Sequence, residues 1–231
     1  MTDASVPQPH SQTLSRGIRV LETLADSSTP LTIAQLASAI DVHRSIAYRI
    51  LRTLEDHGLV ARDAGGAFAL APKMATLALG VERDLQSAAL PELTAVAGDL
   101  ALTAFLVVLD NLECVTLASV EPRTGGATVA QRPGTRHLLG VGAPGIAIQS
   151  LLTDADLLRR GVARRPLANG FATSHDEVIP GLRSVAVPLP ATGIPPAALA
   201  VVFVSSAHED REIGARLMAA ATAIGRDLGT R

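Results

Sequence analysis

The sequence contains a single cysteine, Cys114, in 231 residues. One thiol excludes an internal disulfide framework and fits a reducing, cytoplasmic compartment. No run approaches the roughly 18 consecutive apolar residues that a membrane-spanning helix needs. Residues 1–12 carry Pro7 and Pro9 but no basic stretch followed by an apolar core, so they read as a disordered leader rather than a secretion signal. An excess of positive charge is also missing: 20 Lys+Arg against 22 Asp+Glu give a net charge of −2, which argues against a strongly basic nucleic-acid protein. Only the surface that faces phosphate must be positive, however, so net charge is a blunt test. Lysine is almost absent, Lys73 standing alone beside 19 arginines that are spread along the whole chain and mark no site by their number. What the chain does have is a hydrophobic content of 48%, enough for one medium core and one small one, hence two domains.

Leu14, Ile18, Leu21 and Ala25 recur at helical spacing and predict an amphipathic helix over 13–26. Asp26-Ser27-Ser28-Thr29-Pro30 breaks it. Thr32-Ile33-Ala34-Gln35 has the capping-box pattern that opens a second helix, with Ile33, Leu36, Ala37 and Ile40 as its apolar stripe. A short turn at Asp41-Val42 leads to a third helix from about His43 to His57, stopped by Gly58. Two short apolar segments around Asp63-Ala64-Gly65-Gly66 then read as a β-hairpin, the wing of a winged helix-turn-helix.

The third helix carries the functional argument. Ala47, Ile50, Leu51 and Leu54 fall on one narrow face at about 100° per residue. Arg44, Ser45, Tyr48, Arg49 and Arg52 fall on the other, while Glu55 and Asp56 wait until the last turn. A helix docked through its apolar side, with arginines and hydroxyls in its N-terminal half, suits insertion into a major groove. Arginine can donate two hydrogen bonds to guanine, and hydroxyls reach phosphates or base edges. Arg62 on the wing is a candidate for backbone or minor-groove contact. Residues 1–80 hold seven basic and seven acidic groups. Each subunit should therefore bind weakly, and useful affinity requires dimerisation.

With these segments in order, the chain resembles the IclR family of bacterial regulators. The matching stretches run from Leu14 to Leu21, Leu31 to Ala37, Ser45 to Glu55 and Leu70 to Lys73, with a second block at Gly170-Phe171-Ala172, Glu177 and Pro180 to Leu189. The resemblance implies an α+β protein: a winged helix-turn-helix domain (13–72), a linker helix (73–90), and a C-terminal α/β GAF-like domain (91–231) for effector binding and oligomerisation. It also implies homodimers or tetramers on palindromic operators in duplex DNA. By the same resemblance Gly142, Ala143, Ser184, Phe203 and Ser205 are effector-pocket candidates. Some positions depart from the family pattern. Ile46 stands where Thr is usual, removing a hydroxyl from the reading helix, and Ser174 and Phe203 make the pocket less polar. A partly apolar or aromatic acid then suits it better than a very small polar one. The segment between Gly145 and Gly170 is short, and its arginines (Arg159, Arg160, Arg164, Arg165) read as an anion-attracting run or as a solvated face.

In the middle of the chain, Lys73 to Ala89 has a helical pattern and a further helix follows Pro91. Strand-like runs cover 104–109, 114–120, 127–131, 185–189 and 199–204, and a last helix spans about 210–228. Gly140-Val141-Gly142-Ala143-Pro144-Gly145 satisfies G-x-G-x-x-G, but a turn rather than a strand precedes it and no acidic residue follows at the ribose-binding distance. It predicts a helix start whose N–H groups can hold a carboxylate. No catalytic elbow or metal-ligand spacing appears: the histidines are scattered, Cys114 sits in an apolar strand, and His175-Asp176-Glu177 reads as surface. The sequence therefore predicts no enzyme, no cofactor and no metal. The main alternative is an effector-independent DNA-binding protein whose C-terminal domain only oligomerises.

Overall fold

The structure, a computed structural model, describes residues 11–78, 80–123, 129–204 and 206–229. The chain divides into two compact units, one up to Val81 and one from Glu82 onward. The predicted leader at 1–12 lies almost wholly outside the described residues.

In the first unit, α1 (Gln12–Asp26), α2 (Ile33–Ala39) and α3 (Arg44–Asp56) enclose a core of Val20, Leu36, Ile40, Ala47, Leu51, Val60 and Phe68. The capping box forms as the sequence predicts: Thr32 N donates to Gln35 Oε1 at 2.8 Å and Gln35 N to Thr32 Oγ1 at 3.4 Å. Gly58, at φ +69°, turns the chain out of α3 in the left-handed region that glycine tolerates best. Lys73 Nζ donates to the His57 carbonyl at 2.9 Å, so the sole lysine satisfies a group at the C-terminal end of this helix. The wing is β1 (Val60–Arg62) paired antiparallel with β2 (Phe68–Leu70), and Leu31 adds a third rung by exchanging two backbone bonds with Phe68.

The single linker helix expected over 73–90 is instead two helices, α4 (Lys73–Ala78) and α5 (Arg83–Leu100). The break falls at Gly80 to Glu82, where Glu82 takes a left-handed φ of +45°. Nor does Pro91 open a new helix; it lies inside α5 with its ring exposed. A proline inside a helix costs roughly 3 kcal/mol. Burial of Leu85, Leu93, Val96 and Leu100 along the same helix, at roughly 1.5–3 kcal/mol for each fully buried large side chain, outweighs it.

The second unit is built on one antiparallel sheet of β3 (Thr103–Asp110), β4 (Glu113–Val120), β5 (Arg136–Leu138), β6 (Ala172–His175), β7 (Arg183–Leu189) and β8 (Ala197–Phe203). Its spatial order is β5-β4-β3-β8-β7-β6. The central strands β3 and β8 are buried on both faces, which explains their nearly unbroken apolar sequences. One face packs against α5 and α8 (Asp210–Gly229). The other packs against α6 (Gly142–Gln149), all of whose residues are buried, and against Leu157 of α7 (Asp154–Arg159). The expected strand at 127–131 is not formed in its described part, 129–131; Val129 instead accepts a hydrogen bond from Thr103 Oγ1 at 2.7 Å.

Candidate DNA-reading face and effector pocket

Helix α3 begins with His43 as its N-cap, whose Nδ1 accepts from Ser45 N at 3.3 Å. Histidine is not among the favoured capping residues, so this role carries no sequence signal. Ser45 Oγ lies 2.8 Å from the same nitrogen, which ties the predicted DNA-contacting hydroxyl into the cap. Arg44, Ser45, Tyr48, Arg49 and Arg52 are all exposed, while Ala47, Ile50 and Leu51 are buried. Leu54, the fourth residue of the predicted apolar face, is half-buried against the same core. Ile46 is also on the surface, 37% exposed.

The arginines are not equivalent. Arg52 is turned back along its helix to Glu55 at 3.2 Å and Asp56 at 3.8 Å. Arg62 lies over the Phe68 ring, 5.7 Å from its centroid, with Nε donating to the Gly66 carbonyl at 3.4 Å. Arg44 and Arg49 have no side-chain partner among the described residues. They are the two guanidinium groups of the helix left free for an external acceptor.

In the second unit, Gly142 and Ala143 begin α6 with Gly142 at φ +80°. Their amide groups are already satisfied: Gly142 N donates to Glu177 Oε2 at 3.0 Å and Ala143 N to Ser174 Oγ at 2.9 Å. Glu177 is held in turn by both arms of Arg165, at 2.6 and 2.8 Å. Hydrogen bonding from Arg165 first, and from the Gly142 amide, holds the Glu177 carboxyl below its ordinary range, and the same pairing raises Arg165. The glycines of the G-x-G-x-x-G segment thus serve packing. A Cβ at Gly142 would lie 2.7 Å from Val178 Cγ2, and one at Gly145 would lie 2.4 Å from the Leu139 carbonyl oxygen.

Ser184 lines a cavity beside α6 together with Phe105, Gln131, His137, Pro144 and Ser174. Its Oγ donates to the Val201 carbonyl at 2.8 Å. The cavity volume is about 40 Å³. That is close to one water molecule's share of the liquid and far below the roughly 300–1,000 Å³ of ordinary ligand pockets. Burial holds the His137 imidazole below its usual pKa. Phe203 is a correction to the expected set: it belongs to the core on the α5/α8 face, and its ring carries the Arg183 guanidinium 5.4 Å from the centroid. Ser205 lies outside the described residues.

The arginine run after α6 is not an open anion site: its guanidinium groups are taken up by neighbouring acids and carbonyls, with Arg159 and Arg164 exposed at the surface. Arg159 pairs with Asp156, Arg160 donates to the Asn111 carbonyl, and Arg164 binds Asp154 and the Gln149 and Leu152 carbonyls. Gln149, fully buried, bonds Leu139 O at 3.0 Å and Arg165 N at 2.9 Å, fixing the backbone at Arg165 against α6. Cys114 is buried, which pushes its thiol up to about 12 and makes it a poor nucleophile.

Residues 13–64 match the IclR helix-turn-helix domain. The chain is similar to the Pca regulon regulatory protein of Pseudomonas putida, 28% identical over 243 residues that cover 93% of this chain and 82% of that one. Its fold is similar to that of an IclR transcriptional regulator from Alicyclobacillus acidocaldarius, with a TM-score of 0.80, 24% identity, and coverage of 96% of this chain and 100% of the other. An IclR homolog from Microbacterium hydrocarbonoxydans, complexed with 4-hydroxybenzoate, is similar at a TM-score of 0.81 and 21% identity, over 95% and 100% of the two chains. Among the described residues no helix is long and apolar enough to cross a membrane.

Proposed function

We propose that the chain is a DNA-binding transcriptional regulator of the IclR family, whose helix-turn-helix domain it matches over residues 13–64, and that α3 reads the major groove of a palindromic operator under the control of a small organic acid bound beside α6. The observation that carries the DNA reading is the pair of free guanidinium groups, Arg44 and Arg49, on the exposed side of a helix whose other side is fully docked. Tyr48 and Ser45 add hydroxyls to that side, and Arg62 on the wing would join them on leaving Phe68 and the Gly66 carbonyl. Residues 13–72 form the reader, and the unit from Glu82 onward forms the sensing and oligomerising part. Balanced charge in the reader makes a homodimer or tetramer the working form, acting in the cytoplasm on half-sites about one helical turn, or a multiple of it, apart.

Gly142, Ala143 and Ser184 are the proposed effector contacts. The reading is supported by a helix start whose two amides already hold a carboxylate and a hydroxyl, those of Glu177 and Ser174, beside a cavity of mixed apolar and polar lining. The 4-hydroxybenzoate held by the Microbacterium homolog suggests aromatic acids as the first compounds to try. Binding would shift the population of effector-unit conformations and so re-space paired reading helices.

A second reading is favoured by one observation, the cavity of about 40 Å³: a DNA-binding protein whose second unit only oligomerises. Two measurements separate them. Fluorescence anisotropy of the full chain on its own upstream DNA, across a salt series, tests DNA reading. Repeating it with aromatic and aliphatic acids tests sensing; operator affinity indifferent to every acid would favour the oligomerisation role.

A further inference from the structure

The chain supplies its own carboxylate at the position an acidic ligand would take. Glu177 sits on the loop between β6 and β7, and its carboxylate bridges the first amide of α6 and the Arg165 fork. The loop is closed at its base, Asp176 N donating to Leu182 O at 3.0 Å, and two residues within it, Asp176 at φ +61° and Gly181 at φ +82°, lie in the left-handed region. Val178, Ile179 and Leu182 of this loop line the cavity, while Val178 and Ile179 stay 43% and 47% exposed. That is the exposure of a cover: apolar inward, wet outward. Arg165, by contrast, is fixed to α6 through its backbone bond to buried Gln149. The ion pair therefore joins a strap to the body it covers.

We propose that the Arg165–Glu177 pair is an autoinhibitory latch, holding the strap 176–182 shut over the α6 pocket until a ligand carboxylate replaces Glu177 at the Gly142 amide. The latch rests on the effector reading of this pocket. It accounts for the small cavity without making the second unit a bare scaffold: the closed form has no room for an acid, and opening the strap creates the room. Apparent affinity is then the intrinsic affinity reduced by the fraction of open molecules.

The test uses the full-length protein and the variants Glu177→Gln and Arg165→Gln. Glutamine at 177 keeps the size and an acceptor for Gly142 N but cannot pair as a charge with Arg165. Hydrogen exchange of the strap amides at 177–179, 181 and 182 should quicken in both variants, with operator binding retained as the sign of an intact fold. Exchange unchanged in both would overturn the latch. Calorimetric titration with benzoate reports separately on the pocket. Each variant should bind benzoate about tenfold tighter than the parent if the open fraction rises by that factor. Faster exchange with no benzoate binding by any form would uphold the strap contact and bring down the aromatic-acid reading. Faster exchange with unchanged or weaker benzoate affinity would overturn the claim that the latch competes with ligand.

Discussion

Ser184 and Phe203 face opposite sides of the same sheet. Ser184 is in register with Val202 and lines the α6 cavity, whereas Phe203, in register with Arg183, joins the core formed with α5 and α8. Substitutions at the two positions should therefore part company. Phe203→Ala should cost about 3–5 kcal/mol of stability, the usual range for a buried phenylalanine, and leave any acid response intact in the folded fraction. Ser184→Leu should remove the acid response and spare operator binding. Urea unfolding and ligand titration on both variants check this; loss of acid binding in folded Phe203→Ala with normal stability would place the pocket on the other face.

The arginines of α3 should rank by their freedom. Arg49→Ala and Arg44→Ala should each weaken operator binding by roughly 1–3 kcal/mol if they read base pairs. Arg52→Ala should cost less, because Arg52 must first leave Glu55 and Asp56. Anisotropy at fixed salt gives the order directly. Equal losses for all three would mean that DNA breaks the Arg52 pairs at no net cost.

The first three helices are legible in the sequence because their signals are local, whereas the break between α4 and α5 and the short α7 are not. The capping box at Thr32 and Gln35, the Gly58 stop and the apolar stripe of α3 lie within a few residues of what they control. The sheet is different. β8 is buried along its entire length, so Ala197 to Phe203 has no alternation from which to assign faces. Only its register with β7 places Phe203 away from Ser184. β5 and β6 are edge strands of three and four residues, too short and polar to stand out. Glu177 reads in sequence as one of several surface acids, since its partners lie 12 and 35 residues away at Arg165 and Gly142.

The Gly145 position should tolerate no side chain. Alanine there would set its Cβ 2.4 Å from Leu139 O, the same carbonyl that accepts from buried Gln149. Relief requires moving backbone and disturbing that bond, so Gly145→Ala should destabilise by about 1–3 kcal/mol or more. Gly98, in α5, has nothing within 4 Å of a built Cβ, and Gly98→Ala should be neutral or stabilising by up to about 1 kcal/mol. Denaturant midpoints of the two variants supply the comparison. Gly145→Ala as stable as Gly98→Ala would show that the α6 start is looser than its packing indicates.

Acid should destabilise the second unit in two separable steps. His137 is held below its ordinary pKa chiefly by burial, so the unfolded chain takes up that proton first. Its contribution is complete above about pH 6.5 and is lost as pH falls toward the folded-state value. Glu177 is also depressed, chiefly by Arg165 and also by the Gly142 amide. Its contribution is complete above about pH 4.3 and disappears only as pH drops through the lower folded value. In each case the unfolded state binds more protons over the window, so stability rises with pH there. Denaturant midpoints followed from pH 8 to pH 3 should show His137→Gln flattening the upper part of the curve and Glu177→Gln the lower. The order matters for the latch: between the two windows the strap stays tied, and only stronger acid than the first step requires should release it. Strap exchange that quickens already near pH 6, in step with His137, would mean that the imidazole and not the carboxylate governs opening.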